Sequence, residues 1–280
     1  MTEGDAGWLS IVATPIGNLA DLSQRAVDEL GAADVIACED TRRTGGLLSS
    51  IGVRAPRLVV VNAHTERRAV DELVEMMANG ARVALASDAG TPGVSDPGAV
   101  LVAACHDNGI AVRGISGPSS VTTAVSLSGF GGDRFCFEGF LPRKGRERTE
   151  RIESFAREVR LIAIFESPNR VVATLSDLAA ALGPERRVLV ARELTKRYEE
   201  VVRTTLGDAA SLFDGRDPRG EFVLVIEGGS PPAEADDDEI VAALTAILER
   251  GDSRRDAVVE VSKVLGVARG RVYDLALGLP

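Results

Sequence analysis

The chain has 280 residues, 45% of them hydrophobic and 26% charged, and carries a formal net charge of -10. That length exceeds what one hydrophobic core usually serves, so two domains and an appendage are expected. The acidic balance excludes a surface coated in positive charge, which leaves any polyanionic partner to a local basic patch. Cys38, Cys105 and Cys136 are scattered among apolar residues without disulfide or zinc spacing, and His64 and His106 are too few for a histidine-built metal site. The segment from Met1 to Trp8 is acidic and lacks the apolar core of a signal peptide. No apolar run approaches the roughly 18 residues that span a membrane, so a cytoplasmic location is expected.

In chain order, Leu9 to Ala13 is a short apolar strand that empties into Thr14-Pro15-Ile16-Gly17-Asn18. A helix is expected from Asp21 to Leu30, capped by Ser23 and stopped by Gly31. Val35 to Cys38 is a second strand, running into Glu39-Asp40-Thr41-Arg42-Arg43, and Leu58 to Val61 is a third, with the polar His64 just past its end. A helix from Arg67 to Ala78 precedes the strand Val83 to Ala86. That strand opens into Ser87-Asp88-Ala89-Gly90-Thr91-Pro92-Gly93-Val94-Ser95-Asp96-Pro97-Gly98, and an apolar helical segment follows from Ala99 to Cys105. The loop is either an ordinary turn or a ligand cradle: glycine permits positive φ and close backbone approach, proline stiffens, and strand carboxyl ends are where open α/β sheets bind ligands. Val112 to Ser116 is a fifth strand, leading through Gly117-Pro118-Ser119-Ser120 to a helix from Val121. This regular alternation predicts a mostly parallel sheet over residues 1–130.

A second α/β domain is expected over residues 131–230. Phe135 to Phe140 alternates like a strand and Leu141-Pro142 closes it. The stretch Arg143-Lys144-Gly145-Arg146-Glu147-Arg148-Thr149-Glu150-Arg151 then carries five positive and two negative charges. It is either an RNA-phosphate anchor or a solvated helix with i,i+4 pairs such as Glu147 with Arg151. Strands at Leu161 to Phe165 and Val188 to Ala191 flank a helix from Val171 to Leu182, and a pair of strands around Val201-Val202 and Phe222 to Ile226 closes a mixed sheet. Ser230 to Asp238 reads as an acidic linker. Residues 239–280 are read as a helical tail with helix-turn-helix character: Arg254 to Leu265, a turn at Gly266-Val267, then Ala268 to Leu277 with Val272 and Leu275 facing inward. Nucleic-acid binding and simple helical packing both fit the tail.

No G-x-G-x-x-G follows the first strand and no Walker lysine motif is present, which disfavours a dinucleotide enzyme or a P-loop ATPase. The polar loops, set side by side, carry a resemblance. Thr14-Pro15-Ile16-Gly17-Asn18-Leu19, Glu39-Asp40-Thr41-Arg42, the Ser87 to Gly98 loop, Gly117-Pro118-Ser119-Ser120, Gly139-Phe140-Leu141-Pro142, Phe165-Glu166-Ser167-Pro168-Asn169-Arg170, Ala191-Arg192-Glu193-Leu194-Thr195-Lys196 and Gly220-Glu221-Phe222 stand in order. Together they resemble the rRNA ribose 2′-O-methyltransferase branch of the tetrapyrrole methylase superfamily. The resemblance implies two α/β domains of that type, the first sheet mostly parallel and the second mixed, with a small C-terminal helical tail. It implies a homodimer with S-adenosylmethionine held in the cleft between the domains. The implied acceptor is a cytidine ribose in the decoding region of 16S rRNA, within the 30S subunit, with no metal and no membrane involved.

Carried over by position, the donor's neighbours are Pro15, Gly17, Asp88, Gly90, Thr91, Pro92, Val94, Ser119, Ser120, Phe165, Glu166 and Ala191. Candidate bases for the acceptor hydroxyl are the strand-end acids Asp88, Glu39 and Glu166, with Asp40 beside them. For each acid a helix cap or loop ion pair is the structural alternative. RNA contacts are expected from Arg143, Lys144, Arg146, Arg148, Arg170 and Lys196, with Arg42, Arg43, Arg192 and Arg197 as weaker members. Asn169 stands where the family usually has histidine. A small-molecule, tetrapyrrole-type methylase and a non-catalytic nucleic-acid-binding protein are the alternatives.

Overall fold

The computed structural model describes residues 6–54, 57–61, 66–216, 219–229 and 235–279. The expectations for His64 and for most of the Pro-rich stretch ahead of Ala235 lie outside them. The chain forms two compact units, one through Gly229 and one from Ser230 onward.

The first unit begins with five strands alternating with five helices: β1 (Trp8–Val12), α1 (Gln24–Ala32), β2 (Val35–Cys38), α2 (Thr41–Ser50), β3 (Leu58–Val60), α3 (Glu66–Ala78), β4 (Arg82–Ala86), α4 (Ala99–Asp107), β5 (Ala111–Ile115) and α5 (Ser120–Ser128). Every pairing among these strands is parallel, in the order β3-β2-β4-β1-β5. The buried strands β2 and β4 are continuous apolar runs, as a sheet covered on both faces requires. Leu30 of α1 and Leu48 of α2 cover one face, while Leu73 and Met77 of α3 and Leu101 and Cys105 of α4 cover the other. One expected boundary moves. Ser23 does cap α1, its hydroxyl accepting from Ala26 N at 3.2 Å, but Gly31 does not stop the helix. Gly31 is not among the glycines with positive φ, and the last turn runs to Ala32, closed by Ala33 N on Glu29 O.

The same unit continues with β6 (Phe135–Phe140), α6 (Arg146–Ser154), β7 (Leu161–Glu166), α7 (Val171–Leu182), β8 (Arg187–Arg192), β9 (Glu200–Thr205), α8 (Leu206–Phe213) and β10 (Phe222–Ile226). These strands form a mixed sheet, β6-β7-β10-β8-β9, in which only β6 and β7 run parallel. The two closing strands are therefore not neighbours. Phe222-Val223-Leu224-Val225-Ile226 is buried at every position and takes the centre, whereas Glu200 to Thr205, mostly polar and nowhere fully buried, takes an edge. One face of this sheet packs on α6, α7 and α8, and the other receives Val121, Ala124 and Val125 of α5, so the helix that follows the first sheet's β5 packs into the second sheet's core.

The second unit is three helices, α9 (Asp237–Glu249), α10 (Arg254–Leu265) and α11 (Arg269–Leu277), around a core of Ile240, Leu244, Val258, Val261 and Val272. The acidic run read as linker starts a helix: Asp236 and Glu239 form a reciprocal capping box, and the acids of the first turn complement the positive end of the helix dipole. Gly266 terminates α10 in the left-handed conformation expected of the turn, and Val272 is buried while Leu275 is half-buried. Among the described residues no helix is long and apolar enough to cross a membrane.

Leu224 is fully buried in the central strand of the mixed sheet. Leu224→Ala is expected to lower unfolding free energy by about 2–5 kcal/mol, read from urea denaturation.

Candidate active site

The first sheet has a switch point between its neighbouring strands β1 and β4. The chain leaving β1 turns to the α1/α2 face, and the chain leaving β4 turns to the α3/α4 face. A crevice opens where two adjacent strands send their connections to opposite faces. Two loops meet there. Thr14 N donates to Gly90 O at 2.8 Å and Gly90 N donates to Thr14 O at 3.1 Å. The Thr14 hydroxyl donates to Ser87 O at 3.1 Å, and the Ser87 hydroxyl donates to Gly90 O at 2.9 Å. Gly90 holds φ +82°, a conformation that a side chain would strain, so glycine is what allows the loop to fold back on Thr14.

The crevice is the floor of a cleft of about 1170 Å³ whose opposite wall is the mixed sheet, at the end of β7 and the start of β10. Of the expected donor neighbours, Asp88, Gly90, Thr91 and Val94 line it from the central loop, and Ser119 and Ser120 from the head of α5. Phe165, Glu166 and Ala191 line it from the second sheet. Pro15, Gly17 and Pro92 do not. Pro92 is buried, and Gly17 is packed so closely against Thr195 and Lys196 that a Cβ would collide with both. Gly17 therefore serves the joint between the two halves of the unit.

Six carboxylates reach the cleft, Glu39, Asp40, Asp88, Asp96, Glu166 and Glu221, against a single guanidinium, Arg43, among the described residues. They differ sharply in environment. Glu166 is 2% exposed. Its Oε1 accepts from Ser167 N at 2.7 Å and its Oε2 from the Thr174 hydroxyl at 2.6 Å, with the Arg170 guanidinium at 3.4 Å. This acid fastens the start of α7 to the end of β7. Asp40 caps α2, accepting from Arg42 N at 2.8 Å, and hydrogen bonding from Arg42 holds its carboxyl down at about 2. Asp88 faces Arg43 at 3.4 Å through Oδ2, while its Oδ1 is buried without a hydrogen-bond partner. Burial and the charge of Asp88 push Glu39 up. Burial, then the charges of Glu39 and Asp88, push Asp96 up to about 6. Such a cleft favours a cation and hydroxyl donors over phosphate.

None of the six basic residues expected to meet RNA lines the cleft. Arg148, with its side chain 11% exposed, is spent on Asp177 at 2.8 Å, the Thr174 hydroxyl at 2.9 Å and Pro142 O at 3.3 Å. Arg170 donates to Leu141 O at 2.9 Å and Pro142 O at 3.2 Å. Both tie the turn after β6 to α7. Lys196 sits between Glu193 at 2.8 Å and Glu221 at 2.9 Å. The pair expected between Glu147 and Arg151 is replaced: Arg151 reaches Glu138 at 2.6 Å and Arg146 takes Glu150 at 2.6 Å. Arg143, Lys144 and Arg146 are the exposed members. Of the weaker set, Arg43 lines the cleft, Arg42 binds Asp40, Arg192 pairs with Glu200, and Arg197 lies over the Tyr198 ring.

Sequence reasoning passed over Asp96, Glu221 and Phe140. Asp96 sits inside the loop already singled out, and Phe140 inside a quoted motif, yet neither residue type announces its direction. Phe140 is 56% exposed at the cleft and meets Phe165 at a tilt, ring centroids 5.4 Å apart, and Phe165 in turn meets Phe137 edge-on at 4.8 Å. Among the described residues no group of His, Cys, Asp and Glu is arranged to hold a metal ion, and all three cysteines are free thiols.

Known proteins resemble this chain in sequence and in fold. The family model described as Tetrapyrrole (Corrin/Porphyrin) Methylases matches residues 9–210. A protein of Synechocystis sp. named ribosomal RNA small subunit methyltransferase I is 42% identical over 275 residues, covering 98% of each chain. One of the same name from Haemophilus influenzae is 41% identical over 97% of this chain and 96% of its own. Among solved structures, uroporphyrin-III C-methyltransferase from Thermus thermophilus, complexed with S-adenyl homocysteine, superposes with a TM-score of 0.57 at 18% identity, covering 79% of this chain and 97% of that one. That likeness is one of fold.

The raised proton affinity of Asp96 has a stability consequence. An acid that titrates near 3.8 when unfolded and near 6 when folded favours the folded state below the lower value, and that contribution is lost as pH rises through the upper one. Asp96→Asn is therefore expected to stabilise the ligand-free protein at neutral pH by on the order of 1 kcal/mol, after discounting for partial exposure. The gain should vanish on acidification below about pH 4, as urea denaturation across pH would report.

Proposed function

The chain belongs to the tetrapyrrole methylase family, and from that premise we propose that it is an S-adenosylmethionine-dependent methyltransferase of small-subunit ribosomal RNA. Its acceptor is the 2′-hydroxyl of a cytidine ribose in the decoding region of 16S rRNA. The observation that carries this reading is the cleft itself: six carboxylates and one guanidinium at the carboxyl ends of a parallel sheet. When bound, S-adenosylmethionine supplies an electrophilic methyl group on a cationic sulfur. The residues present fit it. The buried Asp88 Oδ1, unpartnered, has capacity for a hydroxyl or ammonium donor, and the cleft's negative field stabilises positive charge.

Methyl transfer to oxygen is an in-line displacement whose main demands are alignment and exclusion of water. The fixed Thr14–Gly90 loops supply a rigid floor, and Phe140 and Phe165 supply an apolar wall that keeps water out. Phosphates are repelled by the acids, so the RNA backbone stays outside while a ribose enters. Arg143, Lys144 and Arg146, exposed on the turn before α6 and at its start, suit the backbone, and Arg148 and Arg170 hold that turn in position. The reading includes a homodimer acting in the cytoplasm on the 30S subunit. The relatives named above, matched over nearly their whole length, support the rRNA acceptor.

Tritiated methyl transfer from S-adenosylmethionine to 30S subunits lacking this modification, and to naked 16S rRNA, tests the reading. Label mapped to a cytidine ribose in the decoding region is the expected result. Donor binding without label on either RNA would move a small-molecule acceptor to first place. In the same assay, Arg143→Glu with Lys144→Glu should leave donor affinity unchanged. It should also weaken RNA binding and reduce the slope of log affinity against log salt by about 2.

A further inference from the structure

A ribose hydroxyl is a poor acid, and transfer to it calls for a group that can take its proton. Three of the six cleft carboxylates are held by neighbours: Glu166 through both oxygens, Asp40 as a helix cap under Arg42, and Glu221 by Lys196. Asp88 faces Arg43 through Oδ2, and its open Oδ1 is the atom assigned above to a donor group of the cofactor. Glu39 and Asp96 remain, and the backbone distinguishes them.

Among the described residues, the non-glycine positions with positive φ are Ser95 at +63°, Glu193 at +50° and Thr195 at +65°. All three lie in two loops of this cleft, flanking the lining residues Asp96 and Leu194. Strain of this kind persists where surrounding structure over-determines it, and it gathers at functional sites. Asp96 is clamped from both sides. The left-handed Ser95 precedes it, and Pro97 follows, fixing its own φ and confining Asp96 to extended conformations. Ser95 also abuts the second sheet, since a Cβ on Gly139 would lie 3.1 Å from its hydroxyl. The clamped residue therefore stands where the two halves of the cleft meet. Glu39, on the first sheet alone, carries one more rotatable bond.

We propose that Asp96 is the general base of this methyltransferase, accepting the proton of the acceptor ribose hydroxyl; the assignment rests on the methyl-transfer reading above. In the step, the O2′–H bond breaks and its proton passes to an Asp96 oxygen. The O2′–methyl bond forms as the methyl–sulfur bond breaks. The electron pair of that bond stays on sulfur, leaving a neutral thioether, and Asp96 later releases the proton to water. The groups facing Asp96 suit the task. Glu39 from the end of β2, Asp88 from its own loop and Glu221 ahead of β10 raise its proton affinity, while the Ser87 hydroxyl moderates the rise. The Arg43 guanidinium is turned to Asp88. The resulting value of about 6 leaves the carboxylate ionised yet basic near neutrality.

The experiment is single-turnover methyl transfer to the RNA acceptor as a function of pH, with donor affinity measured in parallel. The wild-type rate is expected to rise through about pH 6 and then level. Asp96→Asn should bind donor within about threefold of wild type, lose about 10²–10⁴ in rate and lose the acid limb. Glu39→Gln, which removes a like charge facing Asp96, should shift the limb to lower pH, a response that a purely structural Asp96 would not give. Transfer by Asp96→Asn within about fivefold of wild type, or an acid limb that survives in it, would overturn the assignment and leave the methyl-transfer reading standing. If Asp96→Asn fails to bind donor, the wild-type and Glu39→Gln profiles decide: a flat wild-type profile, or one that Glu39→Gln leaves in place, overturns it. Wild-type protein that binds donor and transfers nothing to RNA would overturn both.

Discussion

The two-way hydrogen bond between Thr14 and Gly90 is the constraint on which the site depends. Parallel strands β1 and β4 are paired along their length, so their ends are fixed relative to each other before any loop is considered. The bridge beyond them is antiparallel, formed where the loop leaving β4 folds back on the chain leaving β1, and it ties the cleft floor to the sheet. A floor of this kind needs no ligand to organise it, and preorganisation of that sort is what a displacement reaction requires of its surroundings. Everything else in the cleft is positioned from it. The central loop runs from the bridge to the clamped Asp96, and α5 leaves the neighbouring strand to pack under the second sheet.

Charge is partitioned across the unit in a way that net charge conceals. Acids converge inward on the cleft, whereas the exposed members of the basic run lie on the turn before α6. The interior of that run is structural. Arg148 and Arg170 both donate to Pro142 O and share the Thr174–Glu166 neighbourhood, so the turn that presents Arg143 and Lys144 is braced by one cation from the same segment and one from the head of α7.

Much of this was legible in the chain. Continuous apolar runs ending in Gly/Pro loops identified the parallel sheet and its ligand edge, because burial on both faces removes alternation and strand ends need special backbone. The loop from Ser87 to Gly98 is central as expected. What sequence could not supply was direction and partner. Arg148 and Arg143 are the same residue type five positions apart, yet one is a buried brace and the other is free at the surface. Glu166 lines the cleft as expected, but only coordinates reveal that both of its oxygens are occupied. Asp96 escaped notice because its distinction lies in the backbone angle of Ser95 and in acids from two other segments, which no local pattern records. The placement of β10 between β7 and β8 follows from its uninterrupted apolar run, whereas chain order alone suggested that it would lie beside β9.

The concentration of acids around one cavity bears on how a catalytic cycle ends. Under the methyl-transfer reading, the donor enters with a positive sulfur and leaves as a neutral thioether, and the carboxylate that takes the acceptor's proton becomes neutral in the same event. The sulfonium's share of the attraction is thus removed by the reaction it enables. The spent cofactor keeps only what its hydroxyl and ammonium groups can hold, and an acid-lined cleft built on this plan favours exchange of used for fresh donor.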